Sequence, residues 1–276
     1  MTQQEKINML SGKNFWYLNG NQRLGIPEIM VADGPHGLRK AKGDGESAGI
    51  KASIPAVCFP TAVNMASSWN SALVEEVGKA LGAQCAREKV AVLLGPGINI
   101  KRSPLCGRNF EYYSEDPHIT GQMAAAWING VQSQGIGTSI KHYALNNQET
   151  RRMTINVLVD ERAMREIYLS GFEHAVISSK PWTVMCSYNR VNGNYASENE
   201  YLLNQILRKV WGFEGAVISD WGATNDRIKG LLTGLDLEMP GSYGAHDQKL
   251  KKALKSGKLP RSEEHTSELQ SHSDLV

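Results

Sequence analysis

Short apolar runs alternate with amphipathic stretches along most of this 276-residue chain. Seven runs predict strands: Glu28–Ala32, Ala62–Ala66, Ala91–Leu94, Gly137–Lys141, Trp182–Ser187, Gly215–Ser219 and Leu235–Glu238. Most are nearly continuous in apolar residues, as parallel strands covered on both faces should be. Between them, Ser71–Glu88 places Leu73, Val77, Ala80, Leu81 and Cys85 on one helical face. Asp160–Ser178 opens on a good N-cap and repeats apolar residues at Ala163, Ile167, Leu169, Phe172 and Val176. Glu198–Val210, with Ser197 as its N-cap, and Asn225–Leu232 predict two further helices. Repeated strand–helix order predicts an α/β fold with a parallel sheet.

Reactive residues sharpen that picture. Asp33 follows IMVA, Lys141 and His142 follow GTSI, Tyr188 follows VMCS, Asp220 follows AVIS, and Glu238 follows LDL. Side chains converging from many strand ends are what a (β/α)8 TIM-like barrel presents at its catalytic face. A doubly wound sheet concentrates its chemistry near one switch point instead. Lys40–Ser53, rich in Lys, Gly and Ser, has no helical period and predicts a surface loop, so the barrel is expected to be irregular at its start. It is also expected to be incomplete at its C-terminal end. Residues 261–276 break the pattern, and RSEEHTSELQS resembles a sequencing adapter translated in frame. The expected division is a barrel over 1–260 and a non-native, disordered tail over 261–276.

Composition narrows the class. With 41% hydrophobic and 21% charged residues, the chain can bury a sizeable core and is not a disordered sequence. A net charge of +2 argues against a dedicated nucleic-acid binder. No apolar run approaches about 18 residues, so no membrane span is expected. No secretory signal is visible at the N-terminus, which predicts a cytoplasmic protein. Cys58, Cys85, Cys106 and Cys186 form no CxxC pair, so free thiols are the simpler reading.

Taken singly, the candidate residues are ambiguous. Asp220, in AVISDWGA, reads as a helix cap or as a nucleophile beside an aromatic sugar platform, Trp221. Asp33, in VADGPHGLR, reads as a turn residue or as a carboxylate accepting sugar hydroxyls. Lys141 and His142, being adjacent, are expected to point to opposite sides of the barrel wall or its rim. Arg108, Arg152 and Tyr188 say little alone. Asp33, His36 and His142 could ligate a divalent ion, but no HxH or HExxH spacing supports it. LLGPGINI lacks the Lys-Ser/Thr of a phosphate loop, and no cofactor is expected.

Together, DGPHGLR, FPTAVNMASSWN, LLGPGINIKRSPLCGRNFEYYSEDP, KHYALNNQETRR, VMCSYNRVNG and VISDWGA resemble, in order, the N-terminal barrel of family 3 glycoside hydrolases, bacterial β-glucosidases in particular. The resemblance runs from about residue 5 to residue 260. It implies retaining hydrolysis of terminal β-D-glucosides, with Asp220 as nucleophile and Trp221 as a wall of the glucose subsite. Asp33, Arg108, Lys141, His142 and Arg152 would hydrogen-bond the glucose hydroxyls, and Tyr188 would lie beneath the anomeric centre. Lys141 and Arg152 are expected to keep Asp220 ionised. The hexosaminidase lineage carries KHFPGHG where this chain has KHYALNNQE, which disfavours that reading. In the glucosidase lineage the acid/base Glu comes from a second α/β sandwich domain that this chain lacks. Glu111, Glu149 and Glu238 do not match its position. The expected partners are therefore β-linked glucosides or short oligosaccharides and that sandwich domain, with no nucleic acid or membrane. The alternatives are a β-xylosidase or α-L-arabinofuranosidase of the same family, a phosphorylase, or, for the fragment alone, a catalytically incomplete sugar-binding barrel.

Overall fold

In the computed structural model, residues 1–43 and 53–260 are described. Most of the Lys40–Ser53 loop and all of the 261–276 tail therefore lie outside the described residues. The ends of that loop meet, Ala41 bridging Ser53 and the Ile54 N–H donating to the Lys40 carbonyl.

Among the described residues eight strands form, β1 (Val31–Asp33), β2 (Val92–Leu94), β3 (Gly137–Tyr143), β4 (Asn156–Val157), β5 (Thr183–Cys186), β6 (Arg190–Val191), β7 (Asn194–Tyr195) and β8 (Ala216–Ser219). The main sheet is wholly parallel, in the order β1-β2-β3-β5-β8. Its β-branched and leucine runs are buried throughout, so both faces are covered. β4, β6 and β7 make a small separate sheet.

Among the described residues eight α-helices accompany them: α1 (Gln3–Met9), α2 (Ala62–Ser67), α3 (Ser71–Arg87), α4 (Pro117–Gln132), α5 (Glu161–Ala163), α6 (Ser170–Ser179), α7 (Arg227–Thr233) and α8 (Ala245–Lys255), with π-helical stretches at Met164–Tyr168 and Tyr201–Val210. The α3 and α4 helices touch through glycines. A Cβ on Gly78 would stand 2.6 Å from the Trp127 carbonyl oxygen, and one on Gly130 would stand 2.2 Å from that of Glu75. The close approach seals the core around Trp127, Ile128 and Val131.

The sheet curls into a barrel that the N-terminal segment closes. Leu237 bridges Ile218 in parallel, and Glu238 bridges Ser11. The Gly12 N–H donates to the Glu238 carbonyl, and the Val31 N–H to that of Trp16. The chain from Leu10 to Leu18 thus fills the gap between 235–238 and β1. The fold is an α/β barrel of the TIM-like kind, irregular at its start and incomplete at its C-terminal end. Among the described residues it holds five laddered strands and the bridged 235–238 segment.

Several sequence expectations need correcting. Ala62–Ala66 is helical, not a strand: Thr61 occupies the N-cap position, and His36 Nε2 accepts the Ala62 N–H at 2.9 Å. A five-residue apolar run does not separate the two states. In α3 the inward face carries Val74, Leu81 and Cys85, while Leu73 is 51% exposed. Asp160 does cap its helix, accepting the Ala163 N–H at 2.9 Å. A π turn over Met164–Tyr168 then widens the helix and turns Ile167 outward. The helix expected from Glu198 starts at Tyr201, with Asn199, not Ser197, accepting the Leu202 N–H. The α4 helix, started by Asp116 and Pro117, carries no expectation from the sequence reading.

Candidate active site

At the C-terminal ends of the strands lies a cavity of about 360 Å3. It brings together all eight sequence-predicted residues: Asp33, Arg108, Lys141, His142, Arg152, Tyr188, Asp220 and Trp221. Asp33 ends β1 and Asp220 follows β8, so each carboxylate stands at a strand end. Lys141 and His142 both reach the cavity rather than opposite sides of the wall. The physical reason is a register shift in the β3–β5 ladder: Ile140 pairs with Val184 but Tyr143 with Cys186, so β3 spends one extra residue there. Such an irregularity re-aims side chains out of strict alternation. Asn99 then fixes the His142 backbone, its Oδ1 accepting the N–H and its Nδ2 donating to the carbonyl, both at 2.9 Å.

The charges are paired inside the wall. Lys141 Nζ donates to Asp33 Oδ1 at 2.8 Å. Burial pushes Asp33 up, but Lys141, Arg39 and Arg108 outweigh it and leave the carboxyl below its ordinary range. Arg108 is ion-paired to Glu111, and Arg152 donates to Glu149 Oε2 at 2.7 Å. The Arg152 guanidinium also lies 4.8 Å from the centre of the Tyr188 ring. Tyr188 donates to the Trp221 carbonyl at 2.9 Å.

Asp220 is buried, and its Oδ1 accepts the Trp221 N–H at 2.7 Å. Here the electrostatic expectation is corrected. Burial is the largest influence and raises the Asp220 pKa; Lys141, the Trp221 amide and Arg108 pull it back without cancelling that effect. Arg108 is thus the second cation acting on it, while Arg152 is tied to Glu149. His142 Nε2 stands 3.7 Å from Asp220 Oδ2. Burial, with Arg108, Lys141 and Arg152 around it, holds His142 well below its ordinary pKa and therefore neutral.

The structure adds residues the sequence reading missed. Phe15 and Trp16 line the cavity, and the Trp16 ring lies 5.5 Å from that of Trp221. Trp221 Nε1 donates to the Phe15 carbonyl at 2.9 Å, which fixes the indole. Arg39 also lines the cavity. Its signal was present as the last residue of DGPHGLR; the aromatic pair in KNFW, some 200 residues from Trp221, gave none. His36, weighed as a metal ligand, instead accepts the Ala62 N–H and faces Phe110.

A buried carboxylate in a cavity lined by cations and by Trp16, Tyr188 and Trp221 suits a neutral, hydroxyl-rich ring. Charged groups can hold its hydroxyls at about 1.5–3 kcal/mol each, while the indoles cover its apolar face.

Comparison with known proteins agrees with that chemistry. The chain is 58% identical over 259 residues to thermostable beta-glucosidase B of Acetivibrio thermocellus, covering 94% of this chain and 34% of the relative. It is 51% identical to an exo-alpha-(1->6)-L-arabinopyranosidase of Bifidobacterium breve, with the same two coverages. Among solved structures, the GH3 beta-glucosidase of Bifidobacterium adolescentis superposes with a TM-score of 0.92 at 48% identity, covering all of this chain and 39% of that one. Beta-glucosidase 3B of Thermotoga neapolitana, solved with glucose, gives 0.89 at 45%, covering 96% and 39%. The chain spans about a third of the length of the curated relatives it matches. Residues 14–269 match the glycosyl hydrolase family 3 N terminal domain, and the chain belongs to that family.

Proposed function

We propose that this chain carries the nucleophile and the glycone pocket of a retaining β-glucosidase. The observation that carries the reading is Asp220, buried at the end of β8 and opening onto a cavity with four cationic side chains and an indole wall. Asp220 attacks the anomeric carbon and forms a glycosyl ester as the aglycone leaves. Asp33, Lys141, His142, Arg108 and Arg152 hold the sugar hydroxyls, Trp221 covers the ring, and Tyr188 lies beneath the reacting carbon.

Retaining hydrolysis needs a second carboxyl about 5–5.5 Å from the first, to protonate the leaving oxygen and later activate water. Among the described residues the only other carboxylate lining the cavity is Asp33, which Lys141 holds. Glu111 and Glu149 are engaged by arginines, and Glu238 by His246 at 2.5 Å. We place the acid/base outside this chain, on the sandwich domain that the family resemblance implies.

A second reading has its own support. Relatives at 51–53% identity are named arabinopyranosidases, and a pentopyranoside differs from a hexopyranoside by one hydroxymethyl group. The deciding experiment is trapping. A dinitrophenyl 2-deoxy-2-fluoro-β-glucoside, whose leaving group needs no proton, should add one sugar mass to the Asp220 peptide. The corresponding arabinopyranoside should label more slowly; faster labelling would favour the second reading, and labelling of another residue would remove Asp220 as nucleophile.

A further inference from the structure

Six side chains run in sequence from Arg152 to Asp220. Arg152 Nη1 donates to Glu149 Oε2 at 2.7 Å, and Asn146 Nδ2 donates to Glu149 Oε1 at 3.2 Å. The same Asn146 Nδ2 reaches the Tyr112 hydroxyl at 3.3 Å, which meets His142 Nδ1 at 3.1 Å. His142 Nε2 then faces Asp220 Oδ2. Tyr112, His142 and Asn146 are all fully buried, so no bulk water can substitute for a missing partner.

The polarity of this chain is forced from its outer end. A carboxylate paired with arginine only accepts, so Asn146 must turn its NH2, not its oxygen, to Glu149. That orientation leaves Asn146 Oδ1 buried without a partner, so the amide is not arranged for its own satisfaction. The NH2 group also contacts the Tyr112 oxygen, which therefore accepts from Asn146. The one phenolic hydrogen is left for His142 Nδ1. Burial raises the Tyr112 pKa, so the phenol keeps that hydrogen. A neutral imidazole that accepts at Nδ1 carries its proton on Nε2. The other end agrees, because a bare Nε2 would set its lone pair against Asp220.

We propose that Glu149, Asn146 and Tyr112 are positioning residues that hold His142 as its Nε2–H tautomer, with that N–H directed into the cavity beside Asp220. The tautomer stands on the hydrogen-bond geometry of a buried, neutral ring, independently of any substrate. Its use, donating to a glycone hydroxyl next to the nucleophile, rests on the glycoside reading above. Glu149 and Asn146 never touch substrate; they act through Tyr112.

The test uses the full 276-residue chain labelled with 15N-histidine, its His142 nitrogens assigned by their loss in His142→Gln. Long-range proton–nitrogen spectra should show one neutral tautomer with Nε2 protonated and Nδ1 shifted as a hydrogen-bond acceptor. Tyr112→Phe should move Nδ1 toward the value of a bare lone pair, and Glu149→Gln should move it part of the way. The remaining histidine signals should hold still, which separates this effect from loss of fold. A protonated Nδ1 in the unaltered chain, or an unmoved Nδ1 in either variant, overturns the proposal. Glucose is the second probe: Tyr112→Phe should weaken its binding roughly threefold to tenfold, the scale of one net hydrogen bond. If glucose does not bind the unaltered chain, the glycoside reading fails while the nitrogen shifts still decide the tautomer.

Discussion

As the proposed nucleophile, Asp220 combines two demands that oppose each other. A nucleophile must be ionised, yet burial raises its pKa, and the nearby cations only partly offset this. The acid limb of the kcat/KM profile should therefore lie above the ordinary aspartate range near about 3.9. Stability carries the matching sign. A carboxyl whose folded pKa is raised binds its proton more tightly when folded, so its contribution is present at low pH and is lost as pH rises through the folded pKa. Asp220→Asn should raise the melting temperature at pH 7 and lose that advantage at pH 4, measured by thermal scans of both proteins. In the full-length enzyme the same substitution should lower kcat by at least about 10^4, the scale of removing a catalytic nucleophile, and leave glucose binding largely intact. Trp221→Ala should raise KM about tenfold through lost stacking, with a smaller fall in kcat where the ring also orients the sugar. An unchanged KM would remove the stacking role.

Elements show what could be read from the chain and what could not. The strands that carry or lead into Asp33, Lys141, Tyr188 and Asp220 were legible, because a buried parallel strand writes itself as a continuous apolar run. Ala62–Ala66 was misread because alanine, valine and methionine are apolar in either state, and the His36 nitrogen that accepts its first N–H lies 26 positions away. The shared aim of Lys141 and His142 was hidden by a one-residue shift against β5, which leaves no trace in composition. Glu111 and Glu149 carried no role in the sequence beyond failing to match the acid/base position; only three dimensions tie each to an arginine. The α3–α4 contact gives a prediction at this scale. Gly130→Ala gains about 1 kcal/mol of helix propensity, but its Cβ meets the Glu75 carbonyl oxygen at 2.2 Å. The net effect should be a loss of about 1–3 kcal/mol, read as a lower urea midpoint, while Asn129→Ala on the exposed face stays within about 0.5 kcal/mol.

At the scale of the whole molecule, the proposed reading gives the cavity a nucleophile and a glycone wall and puts its acid outside the described residues. The purified chain should therefore turn over a dinitrophenyl glucoside slowly and cellobiose hardly at all, since general acid help is worth about 10^2–10^4 and matters most for poor leaving groups. Cellobiose hydrolysis at the rate of a complete glucosidase would place an acid within these residues, with Glu111, Glu149 and Glu238 the first to test. The way the ring closes bears on how such a protein is made. Ser11 meets Glu238, and Trp221 holds Phe15, so this strip of chain must wait for partners made more than 200 residues later. At about 5–20 residues per second, it waits roughly 10–45 s for its partners to be synthesised. Through that interval Phe15 and Trp16 lack the Trp221 ring they pack against, which makes this segment a natural client for a holding chaperone.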